Sequence, residues 1–239
     1  MASPRRQIQI KWPPFTRGVI ALAIFFFVTW FVGAIFPSVR GFIQAHLALD
    51  APAIVDGLQL WTLLTYGAFH QTFFEVFFAV FALWVFGAEL ESRWSAVRWW
   101  GMQLCAVALG GVLVFLVELA IGSDMIVTGY HGAIMSLITA YCIYHWRSPL
   151  YFFFFAMTGR TMLLFFAGLS IVLGLVGGYW PVVPIDGAGI LVGYLAAKRL
   201  NLRDLRTRFR LWRARRKLKV VKRPEDDGGK KKPNGSYIN

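Results

Sequence analysis

Residues 99–121 read WWGMQLCAVALGGVLVFLVELAI, 23 residues in which Glu118 is the only charged side chain. A bilayer core of about 30 Å needs roughly 20 apolar residues of helix to cross it. This run meets that length, and five others come close: about 18–36, 72–89, 128–146, 161–180 and 183–200. The run from Tyr151 to Met157 is too short to span and is cut off by Gly159 and Arg160, so it belongs at the interface or in the lead-in to the fifth span. The expected architecture is an all-α, polytopic membrane protein with six transmembrane helices.

Composition agrees. The 239-residue chain is 57% hydrophobic and 15% charged, whereas a soluble domain carries about a quarter charged residues. The net charge of +13 suggests nucleic acid until the cations are located. Of 25 Lys and Arg, 16 lie from Lys198 onward and four precede residue 18. With six spans, the side holding both termini carries 24 of the cations and the other side only Arg40. The positive-inside rule then puts both termini in the cytoplasm. The expected organisation is a cytoplasmic segment 1–17, a membrane domain 18–200 and a basic cytoplasmic tail 201–239.

In the tail, Leu202, Leu205, Phe209 and Trp212 make one apolar stripe on a basic helix. Such a helix beside a span favours anionic lipid, and a purely solvated extension is the competing reading. The closing stretch PEDDGGKKKPNGSYIN has little to bury and reads as disordered. No nucleic-acid partner is expected. Cys105 and Cys142 sit in apolar runs and read as small hydrophobes. The first apolar run is too long for a cleaved signal and lacks a cleavage site after it. Residues 37–71 read as a loop against the membrane surface, with His46 solvated on it.

Charged residues in spans are expensive and are functional candidates by default. Here they are Glu75, Glu118, His131 and Asp186. Glu118 is expected to snorkel to water at the end of its span. Gly129 and Gly132 flank His131, and Gly189 and Gly193 follow Asp186 at GxxxG spacing; such glycines let helix backbones approach closely.

Three stretches together resemble the rhomboid family of intramembrane serine proteases. WTLLTYGAFHQTFFEVFFAVFALWVFGAELE (61–91) is similar to that family's first loop and second core helix, with Thr65 and His70 in place. GYHGA (129–133) is similar to the GxSGA motif, and DGAGILVGYL (186–195) to the sixth-helix HxxGxxxG motif. The resemblance implies a six-helix rhomboid-like bundle over residues 18–200. It also implies a serine nucleophile, a histidine base and a His/Asn pair stabilising the oxyanion. At those positions this chain has His131, Asp186, Glu75 and Ala79, and Thr62 replaces the arginine after the loop tryptophan. A carboxylate at Glu75 would repel a developing oxyanion. Ser136, Thr128 and Cys142 are poorly placed as substitute nucleophiles.

The expected function is therefore that of a rhomboid pseudoprotease, which binds or routes transmembrane clients without cutting them. An intramembrane peptidase using unusual residues is the alternative. Glu75, His131 and Asp186 are expected to converge on one pocket, with His70 at its rim. That pocket is either a hydrogen-bonded polar cluster, with Asp186 also capping the sixth helix, or a divalent-metal site for a metal-dependent hydrolase. Otherwise no cofactor is expected.

Overall fold

The computed structural model describes residues 14–123, 125–152 and 155–198, all within the first of two units, Met1–Arg199. The second unit, Leu200–Asn239, carries the predicted amphipathic and disordered tail and lies outside the described residues.

Among the described residues, four helices are long and apolar enough to cross a membrane: α1 (Arg17–Ile35), the continuous helix Phe73–Arg93, α7 (Ala96–Ile121) and α9 (Gly159–Val176). Two shorter apolar helices, α8 (His131–Tyr144) and α10 (Val182–Ala197), complete the bundle. The six expected apolar segments are thus all helical, but two fall short of a full crossing. At 1.5 Å per residue, the 14 residues of α8 rise about 21 Å. Nine of its residues are buried by neighbouring helices. Protein rather than lipid surrounds it, and irregular backbone is tolerated at its ends on that condition.

Helix Phe73–Arg93 is not uniform. It runs as α5 (Phe73–Ala82), a π-helical turn (Leu83–Gly87) and α6 (Ala88–Arg93). The Trp99 indole donates to the Gly87 carbonyl at 3.1 Å, within that turn. The segment 37–71 is more ordered than a surface loop. It folds into α2 (Pro37–His46), α3 (Ala51–Gly57), α4 (Thr62–Thr65) and a 3-10 turn at Tyr66–Ala68. Leu49 bridges Val127 and the Tyr66 carbonyl accepts from the Gly129 amide, so the segment is tied to the bundle at two points, and within it the Trp61 indole donates to the His46 carbonyl. His46 itself is exposed, as expected. The short run after α8 forms a two-stranded antiparallel hairpin, β1 (Pro149–Phe152) and β2 (Phe155–Thr158), a small departure from an all-α fold.

Glycines position the central helices. A Cβ at Gly189 would run into the Gly132 carbonyl, and one at Gly193 into that of Ser136, so α10 lies backbone to backbone on α8. A Cβ at Gly132 would meet the carbonyls of Ile185 and Ala106 at 3.1 and 3.2 Å. On α7, Gly110 and Gly111 receive the Tyr66 ring, whose hydroxyl donates to the Val107 carbonyl at 2.9 Å.

Glu118 corrects the snorkelling expectation. It is 1% exposed, facing the bundle interior, and the chain turns back beyond it through the left-handed Gly122. Glu91 has a different task. Its carboxylate accepts from the Gly18 and Val19 amides at 2.7 and 3.1 Å and from the Thr16 hydroxyl. A carboxylate there satisfies orphan N–H groups at the start of α1 and faces the positive end of the helix dipole. Replacing Glu91 by Ala is expected to cost about 1–2 kcal/mol of stability, read as a lower melting temperature in detergent micelles. Gly193→Leu is expected to do more damage and prevent recovery of folded protein, because the obstacle is backbone.

Candidate functional site

His131 is the first residue of α8. The chain arrives through Gly129, whose amide donates to the Tyr66 carbonyl at 3.0 Å and whose φ is 114°. Side-chain residues avoid that backbone region. The His131 ring also lies over Gly129, and a Cβ there would stand 2.7 Å from the ring. Gly129 is thus a turn residue under the imidazole rather than a helix-packing residue. Gly132, Gly189 and Gly193 do serve as helix contacts. Between Gly129 and His131, the Tyr130 hydroxyl donates to Gln103 Oε1 at 3.2 Å in the buried core.

Asp186 lies one turn inside α10, whose N-cap is Pro181, and it makes no capping bond. The capping role expected for it is therefore not the one it has. Its carboxylate, 8% exposed, has His131 and Ser170 as its electrostatic neighbours. His131 and Asp186 thus face the same cavity, and no hydrogen bond joins them among the described residues.

Glu75 departs from expectation. It accepts from the Gln71 amide at 2.9 Å, while the Thr72 hydroxyl accepts from the Glu75 amide at 3.2 Å. This is helix N-capping at the start of α5. His70 packs edge-on against Phe26, with ring centroids 4.6 Å apart. Neither of its ring nitrogens has a hydrogen-bond partner among the described residues, although it is only 9% exposed.

His70, Glu75, Ala79, His131 and Asp186 line one cavity of about 680 Å³. Two walls are α5 and α9, which make little direct contact; α8 and α10 close the floor. The side walls are mostly apolar, with Phe74, Phe78, Phe165 and Leu169 among them; His131 and Asp186 stand on the floor, and Glu75 and Ser170 belong to the walls. The convergence expected from sequence is present. The metal-ligand set is not: among the described residues, no group of three His, Cys, Asp or Glu side chains stands where it could hold a metal ion. Glu75 is committed to its cap.

The remaining hydroxyls sort themselves. Ser136 donates to the Ala133 carbonyl at 2.7 Å within α8, at its contact with α10, and Thr128 accepts from the Gln71 amide group at 3.2 Å. Neither lines the cavity. Ser170 does, beside Asp186, and it was not singled out in the sequence. A polar residue in the otherwise apolar stretch 162–176 of α9 was the available signal. Tyr130 and Tyr179 also line this cavity.

Burial, and secondarily the neighbouring His131, lower the His70 pKa from 6.5 to about 4. The unfolded chain takes up this proton near pH 6.5, the folded chain only near 4, so stability falls as pH drops through that interval. The total loss is expected to be on the order of 3 kcal/mol. Denaturation in mixed micelles measures it, and His70→Phe should flatten that part of the curve; an equal slope in the variant would exclude His70 as the source.

Comparison with known proteins gives the same identity as the motifs. The model of the Rhomboid domain matches residues 57–201, more than half of the chain. Rhomboid-like protease 1 of Toxoplasma gondii is 27% identical over 117 residues, covering 46% of this chain. The match spans 40% of that relative's length. With the domain matched across the helices that build the cavity, the chain belongs to the rhomboid family.

Proposed function

We propose that this protein is a non-proteolytic member of its family that binds the transmembrane segment of a client membrane protein in the groove between α5 and α9. The observation that carries this reading is a large apolar groove above a floor without the reacting pair. Where the family resemblance calls for a hydroxyl and an imidazole base, there stand the imidazole of His131 and the carboxylate of Asp186. A hydroxyl becomes a competent nucleophile beside a positioned base; here the nucleophile position has no hydroxyl. The apolar walls provide what a client helix needs in a membrane, close van der Waals packing with a few polar contacts. His131 and Asp186 then serve as that polar floor. With the cation distribution, we place both termini in the cytoplasm and assign the basic tail an accessory contact with anionic lipid.

Proteolysis is the second reading, favoured by the name of the Toxoplasma relative and by Ser170 beside Asp186 on the cavity wall. The two are separated by a fluorophosphonate probe and by photo-crosslinking from a reactive residue placed at Phe78. Binding without cleavage predicts no probe labelling and crosslinks to intact membrane proteins, lost on Leu169→Trp, which fills the groove. Labelling abolished by Ser170→Ala, or crosslinks only to cleaved fragments, would establish a protease instead.

A further inference from the structure

A second, smaller cavity of about 50 Å³ lies at the end of α1 away from Arg17. Its polar lining is Thr29, Arg40, Gln44, His70, Gln71 and Thr128. Arg40 and Gln44 are four residues apart on α2 and so share one face of that helix. Arg40 forms no ion pair or side-chain hydrogen bond among the described residues. His70, nine-tenths buried and with both ring nitrogens unpartnered, forms part of the wall. A neutral imidazole left this way forgoes hydrogen bonds it would make in water. A ligand that accepts hydrogen bonds would recover them.

Three donor types meet here: a guanidinium, two amide NH2 groups and an imidazole N–H. The donor set therefore calls for an oxyanion, and a guanidinium fits the paired oxygens of a phosphate well. In the elements that supply this lining, Phe31 and Ile35 at the end of α1, Phe36 after it and Phe42 on α2 are exposed. A phosphate attached to acyl chains satisfies both sets of groups. A free phosphate satisfies only the first.

We propose that this cavity is a site for the phosphate of an anionic phospholipid, with Arg40 and Gln44 holding the oxygens, His70 donating from the wall and the acyl chains lying against Phe31 and Ile35. The site is separate from the α5–α9 groove, sharing only His70 with it, and separate in sequence from the basic tail. It gives the protein a lipid ligand at the junction between α1 and the 37–71 segment.

The test is native mass spectrometry of the full-length protein, titrated with dioleoyl phosphatidylglycerol and, separately, with inorganic phosphate. Moderately high ammonium acetate screens weak contacts to exposed charges, including those of the tail. Wild type is expected to keep one tightly held phosphatidylglycerol. Arg40→Gln should weaken that binding roughly tenfold, and Gln44→Leu by several-fold, with circular dichroism unchanged. His70→Phe should weaken it also. Equal retention in wild type, Arg40→Gln and Gln44→Leu overturns the proposal. Phosphate adducts that depend on Arg40, without retained phosphatidylglycerol, overturn the lipid assignment and leave an anion pocket.

Discussion

Everything at the centre of this protein depends on how closely α8 and α10 approach. Gly132 on one helix and Gly189 and Gly193 on the other remove the side chains that would hold the backbones apart. In a bilayer there is no hydrophobic gain from bringing two apolar helices together, because lipid is as apolar as leucine; dispersion at short range must do it. The contact sets the axial position of α10 against α8. It thereby places Asp186, three residues before Gly189, at the level of His131, one residue before Gly132. Two side chains far apart in the chain face one cavity because a run of backbone has nothing in its way.

At the positions where the family resemblance calls for a reacting set, the cavity lining of this chain stays polar. His131, Asp186 and Glu75 could each have been apolar, and each would then have removed a polar group from a low-dielectric setting. The structure instead gives each a neighbour. Glu75 has main-chain and side-chain partners at the head of α5; Asp186 has His131 and Ser170. On the proposed function, polar groups at one end of an apolar groove would favour segments that carry a complementary polar residue.

Much of the architecture could be read directly. The apolar runs became helices within a few residues of their expected limits, because apolar length is a strong signal and lipid leaves the backbone few alternatives. The glycine spacing after Asp186 pointed to close helix contact, and the motifs pointed to a shared pocket. Other features depended on packing. The 37–71 segment mixes apolar and polar residues without a clean period, yet it folds because Tyr66 and Leu49 find partners on α7 and near α8. Glu118 is as close to a helix end as a snorkelling residue would be, and only the turn at Gly122 buries it. Glu75 could have been recognised: Thr72 and Glu75 stand at capping-box spacing. The pocket reading drew attention to its charge instead. Ser170 stood out only by being polar, and the cavity singles it out.

The π turn at Leu83–Gly87 adds one residue to a helix that otherwise advances 100° per step. The half of the span before it and the half after it are therefore out of phase, and one helical wheel drawn over the whole span misassigns one of them. The N-terminal half turns Phe74 and Phe78 to the groove, while Ala88 and Leu90 after it are buried in the bundle. Removing that single residue would rotate the head of the helix by a quarter turn or more, carrying the groove's aromatic wall away while leaving every side chain's identity intact. The groove is thus held open partly by a counting irregularity in the chain, one that no comparison of side chains alone would reveal.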